Sequence, residues 1–76
     1  MTRQHVHFWE VCAADMMPLA RRPFATTGVD HVLAAVLYEA EHGSPPVKMD
    51  RILLADARRK FGRRKTEEVR QAALAR

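Results

Sequence analysis

Six cations stand within eight consecutive positions of this 76-residue chain: Arg58, Arg59, Lys60, Arg63, Arg64 and Lys65. The chemistry open to such a cluster is capture of a polyanion, because each phosphate it neutralises releases condensed counterions. The wider charge distribution points the same way. Residues 47–76 carry ten basic and four acidic groups, whereas residues 1–46 carry three basic and five acidic ones. The C-terminal part therefore holds net +6 and the N-terminal part net −2, which together give the +4 of the whole chain. A solvated basic face that binds nothing specific has a similar composition, so the surrounding elements must distinguish the two.

Other chemistry is poorly represented. His5, His7, Cys12, His31 and His42 lack the short paired spacings of a zinc site. On a helix His5 and His7 would splay apart; on a strand they would align. Cys12 lies among apolar neighbours and reads as core rather than nucleophile. No glycine-rich phosphate loop, paired carboxylates or Ser-His-Asp arrangement is present. The expectation is a protein that is not an enzyme, with no cofactor and no metal. One cysteine allows no internal disulfide and points to a reducing compartment. No apolar run approaches the roughly 20 residues of a membrane span, and His5, His7, Glu10 and Asp15 interrupt any signal-peptide layout. A cytoplasmic location without membrane binding is expected.

The elements that must position the cations read as helices. Residues 29–42 carry the cleanest pattern: Val29, Val32, Leu33, Val36, Leu37 and Ala40 form one apolar stripe at helical spacing. Thr27 and Asp30 form an imperfect capping box, and Gly43 is the C-cap. The stretch QHVHFWEVCAADMM, residues 4–17, is ambiguous. Trp9, Cys12, Ala13, Met16 and Met17 follow helical spacing, against the strand preference of Val6, Phe8, Trp9 and Val11. A helix over roughly 8–17 is predicted, ended by Pro18, and ARRPFATTG is predicted to be a loop. A third helix is expected over about 50–61, with Asp50 in its first turn and Gly62 after its end. A fourth starts near Thr66 as N-cap, followed by Glu67 and Glu68. Only Val47-Lys48-Met49 is a candidate strand.

The predicted fold class is therefore mainly α: a small single domain, 1–76, of about four helices, with one optional short dimer-forming strand. Residues 1–46 would form a helical N-terminal extension and 47–76 a basic, DNA-binding-like half. Two helices around the turn Gly62-Arg63-Arg64-Lys65 fit a helix-turn-helix scheme, and they also fit a second one. Val47-Lys48-Met49-Asp50, then Leu53-Leu54-Ala55-Asp56-Ala57-Arg58-Arg59, Gly62, Glu68-Val69 and Ala73-Leu74 resemble, without gaps, the ribbon-helix-helix region of VapB-type antitoxins.

The resemblance spans about 28 of the 76 residues. It implies that two chains pair their strands and insert the ribbon into the major groove. Lys48 would then reach base edges while Val47 and Met49 enter the dimer core. The start of the fourth helix, beside Thr66, would hold a phosphate. Arg63, Arg64 and Lys65, with Arg58 and Arg59, would contact the backbone. Leu53, Leu54, Ala57, Val69, Ala73 and Leu74 would fill the core. Pro45 and Pro46 would limit the strand to about three residues.

Phe8, Trp9, Met16 and Met17 read either as core or as an apolar patch for a protein partner such as a toxin. A chain this short has little apolar core of its own, so a homodimer is expected. The functional expectation is a DNA-binding transcriptional regulator, antitoxin-like and homodimeric. The alternative is a non-enzymatic adaptor or inhibitor, of a phage or mobile-element type, that uses its basic helical face on a protein.

Overall fold

The ambiguous stretch near the N-terminus is a strand. In the computed structural model, which describes residues 5–76, His7–Ala13 forms β1. Residue 4, where the ambiguous stretch begins, lies outside the described residues. Trp9, Val11 and Ala13 alternate onto one face and are buried there, while Phe8 is buried on the other. This period of two satisfies aromatic and β-branched residues that a helix would crowd. The helical spacing of Trp9, Cys12, Ala13, Met16 and Met17 is a coincidence of composition.

The predicted loop likewise contains a strand, β2, Arg22–Thr26. A third strand, β3, covers Pro46–Ile52. The sheet is antiparallel in the order β2-β1-β3, so both proline-bearing strands lie at edges. There a missing ladder donor is tolerated, which is why neither Pro23 nor Pro46 acts as a breaker. The described residues are thus mixed α/β, with a three-stranded antiparallel sheet and three helices. Helix makes up 46% and strand 26% of the described residues, which corrects the expectation of a mainly α fold with four helices.

The helices are α1, His31–His42; α2, Leu54–Phe61; and α3, Arg63–Ala75. Asp30, not Thr27, caps α1: its carboxylate accepts from the Leu33 N–H at 2.8 Å. Gly43 ends α1 with φ 82°, a left-handed conformation suited to glycine. Asp50 belongs to β3 rather than to a helix first turn, and Asp56 occupies that place in α2. Thr66 is not a cap, because α3 begins at Arg63.

Both faces of the sheet are covered. Trp9, Val11, Phe24 and Met49 pack under Ala34 and Tyr38 of α1. Phe8 and Ala25 pack against Ala57 of α2 and Ala73 of α3, with Val6, Ile52 and Val69 at the margin. Of the residues expected in an intertwined core, Ala57 and Ala73 are buried, Val69 and Leu74 partly so, and Leu53 and Leu54 are exposed. The stripe predicted on α1 also faces away from the sheet: Val29, Val32, Leu33 and Val36 are exposed.

Polar groups inside are paired. The Trp9 indole N–H donates to Thr26 Oγ1 at 2.8 Å, and that hydroxyl donates to the Gly28 carbonyl at 2.7 Å. Among the described residues no buried side-chain nitrogen or oxygen lacks a partner. Thr26→Val preserves shape but leaves the indole N–H unsatisfied in the core. A loss of about 1–3 kcal/mol in urea unfolding is expected.

Candidate nucleic-acid interface

One residue makes the corner that gathers the cations. Gly62 has φ 85° and ψ 157°, a region open to glycine and closed to side chains. It ends α2, where its N–H donates to the Arg58 carbonyl at 2.9 Å, and it opens α3. Its own carbonyl accepts twice from Thr66, from the N–H at 3.1 Å and from Oγ1 at 2.8 Å. Thr66, only 2% exposed, is therefore an internal tie of the corner. With no loop between the helices, the last turn of α2 (Arg58, Arg59, Lys60) adjoins the first turn of α3 (Arg63, Arg64, Lys65). All six side chains are exposed.

Half of this cluster is bound to carboxylates. Arg59 pairs with Asp56 at 2.8 Å, Lys65 with Glu68 at 3.6 Å, and Lys60 with Glu10, which Arg21 also approaches at 3.6 Å. Exposed pairs such as Lys65–Glu68 contribute about 0–1 kcal/mol and exchange readily for a phosphate, whereas Glu10 is mostly buried and holds Lys60 and Arg21 together. Arg58, Arg63 and Arg64 have no carboxylate partner among the described residues. The two helix ends differ in their electrostatics. Cations in the last turn of α2 complement its dipole, but the first turn of α3 carries three cations and no acid at the positive end of a helix. Glu67 does not offset this end. It accepts from Arg70 at 3.1 Å and from Gln71 at 2.9 Å, and the Gln71 hydrogen bond, with Arg70 beside it, holds its carboxyl below the usual range. The corner can thus bind a phosphate-bearing polyanion by position and charge.

Lys48 is exposed on β3 and lies 3.8 Å from Asp50. By alternation Lys48, Asp50 and Ile52 share the sheet face of α2 and α3. Met49 and Arg51 face α1, with the Arg51 guanidinium 5.6 Å from the Trp9 ring centre. Val47 is exposed beside a register shift between β1 and β3. Both β3 faces therefore look toward helices of the same chain, and one edge is hydrogen-bonded to β1. Over the α1 face of β3, His31 Nε2 lies 2.7 Å from the Met49 carbonyl oxygen.

Of the four residues read as core or partner patch, Phe8 and Trp9 are core. Met16 is half-buried, its sulfur accepting from the Ala13 N–H at 3.4 Å, and Met17 is exposed beside Leu19. The His5 and His7 rings stack with centres 6.4 Å apart, as strand spacing allows. Among the described residues no three His, Cys, Asp or Glu side chains are grouped to hold a metal. Among the described residues no helix is long and apolar enough to cross a membrane.

Sequence reasoning missed a cleft of about 270 Å³ between α1, β2 and α3, lined by Arg22, Phe24, His42, Lys65 and Arg76 among others. Arg22 donates to the Tyr38 hydroxyl at 2.6 Å, and Arg76 donates to both Glu41 and the Ala25 carbonyl at 2.6 Å. Burial, and then the Arg22 charge, push the His42 ring below its ordinary value. No periodicity announces this cleft, because its lining comes from distant segments. Comparison of the chain with protein-family models, curated proteins and solved structures finds no match.

Two outcomes follow from this geometry. Gly62→Ala forces a side chain into a positive-φ conformation and should cost about 1–3 kcal/mol in urea unfolding. His42 titrates below 6.5 when folded, so the unfolded chain binds its proton first as the solution is acidified. Stability should fall as pH drops from 6.5 through the depressed folded value, and His42→Gln should flatten that fall. His7, lowered by burial and Arg51, adds in the same direction. Urea midpoints between neutral and acidic pH check both.

Proposed function

We propose that the protein binds duplex DNA through the α2–Gly62–α3 corner, as a small antitoxin-like transcriptional regulator that acts as a homodimer in the cytoplasm. One observation carries the reading: Arg58, Arg63 and Arg64, without a carboxylate partner among the described residues, converge with three carboxylate-paired cations at a helix end that lacks an acid. The order strand, helix, helix in β3, α2 and α3 agrees with the similarity to VapB-type antitoxins. The pairing of β3 with β1 favours contact through the helical corner over insertion of a ribbon. Backbone contacts of this kind position a protein on DNA without reading bases. Lys48, exposed on the sheet face shared with α2 and α3, is the side chain that would add base discrimination.

The second reading, a non-enzymatic adaptor, draws on the exposed apolar row of α1, which DNA contact leaves unused. A salt series with a labelled duplex separates the two. For DNA binding, log affinity should fall against log salt with a slope of about −3 to −5, for three to six phosphate contacts. Arg63→Ala with Arg64→Ala should weaken binding at least about tenfold and reduce the slope by about 2. Absence of duplex binding at low salt would leave the adaptor.

A further inference from the structure

Arg51, near the end of β3, is a cation that the fold does not balance. It forms no ion pair among the described residues, and residues 1–4 contain no acid. Its neighbour Asp50 faces the other side of the sheet, where Lys48 lies 3.8 Å away. Instead the Arg51 guanidinium lies over the Trp9 ring and 3.2 Å from His7 Nδ1. A guanidinium donates and never accepts, so Nδ1 is the acceptor and the His7 ring is neutral, with its proton on Nε2. Burial and the Arg51 charge, which lower the His7 pKa, agree with that state. A neutral partner orients Arg51 and leaves its charge unmatched.

This charge stands at the wall of a cavity of about 440 Å³, within the range of small-molecule sites. The β1–β3 ladder ends with Phe8 opposite Ile52. Beyond it the chain turns into α2, and the cavity opens between that turn, the residues leading into β1 and Arg70 of α3. Val6, Ile52, Leu53 and Leu54 give it an apolar lining, and no acid contributes to it. Leu53 is 73% exposed, an aliphatic side chain held in the open beside an unbalanced cation. Arg70 is already paired with Glu67 at 3.1 Å, so Arg51 alone is left to recognise an anion.

We propose that this cavity binds a small organic carboxylate with an apolar body. The free edge of the Arg51 guanidinium takes the carboxylate through parallel N–H donors, and the body rests on Leu53 and Leu54. One unmatched charge suits a monoanion, whereas a phosphate dianion needs a second free cation and gains nothing from an aliphatic lining. The contacts to Trp9 and His7 hold the guanidinium in place before the ligand arrives, which reduces the cost of ordering it. The site is separate from the basic corner: α2 sets about 12 Å of helix between them.

Titration of the full chain with sodium benzoate, read by calorimetry and by the His7 ring protons in NMR spectra, tests the assignment. Benzoate should bind with Kd on the order of 1 mM or tighter and shift the His7 resonances. Inorganic phosphate, which has the charge without the body, and benzyl alcohol, which has the body without the charge, should each bind at least about tenfold more weakly. Arg51→Gln should weaken benzoate binding at least about tenfold. Leu53→Asp serves as a second variant should Arg51→Gln disturb Trp9. Leu53 follows β3 in extended conformation and so shares the face of Arg51. An aspartate there supplies the missing counter-ion, suits the N-cap of α2, and should weaken benzoate binding to a similar degree. Arg63→Ala with Arg64→Ala should bind benzoate like wild type, whether or not duplex DNA binds. The proposal is overturned if benzoate does not bind at about 10 mM, if phosphate or benzyl alcohol binds as tightly, or if Leu53→Asp binds benzoate like wild type. Loss of benzoate binding in the Arg63 and Arg64 variant would place the anion at the corner and overturn it as well.

Discussion

The antiparallel pairing of β1 with β3 joins residues near the N-terminus to the strand that leads into both basic helices. Trp9 faces Arg51, Val11 faces Met49 and Phe8 faces Ile52 across that ladder. Since strand side chains alternate, this register decides which β3 residues look toward α1 and which toward α2 and α3. A slip by one residue would turn Met49 out of the core and Lys48 into it. The position of the Gly62 corner, reached after the eight residues of α2, follows from where β3 ends.

Much of the helical layout was legible, because its signals are local. The apolar period of residues 29–42, the C-cap at Gly43 and the stop at Gly62 depend on neighbours a few positions away. Of the strands only the Val47-Lys48-Met49 part of β3 was, and the reason the others were not is physical. Residues 7–13 are buried on both faces, so their apolar residues run together and mimic a helical stripe. Pro23 and Pro46 read as breakers because edge position is a property of the assembled sheet. Asp50 fitted a helix start equally well, and only its pairing opposite Glu10 places it in a strand.

The candidate site shows the same division. The cations were visible as composition, yet which of them are free was not. Glu10 comes from β1, fifty positions from Lys60, and reaches it only because β1 lies beneath α2. Thr66 looked like a cap and a phosphate ligand, but the single-residue corner draws it inward to tie Gly62. What remains outward is the set that forms no ion pair among the described residues, which is why Arg58, Arg63 and Arg64 define the surface better than the count of basic residues does.

The division of labour between sheet and helices explains why large aliphatic residues lie outside. The sheet supplies the bulky side chains of the core, Trp9, Phe24 and Phe8, and the helices meet them mainly with Ala34, Ala57 and Ala73. Alanine at the contact lets each helix settle close to a sheet of three strands, which is too narrow to bury a second row of Val and Leu. Turning α1 to bury Val32, Leu33 and Val36 instead would expose Tyr38 and separate its hydroxyl from Arg22. It would also remove His31 from Met49 and from the Trp9 ring, whose centre is 5.5 Å away. Directional contacts therefore hold α1 in its rotation, and the apolar row is left facing out as the consequence.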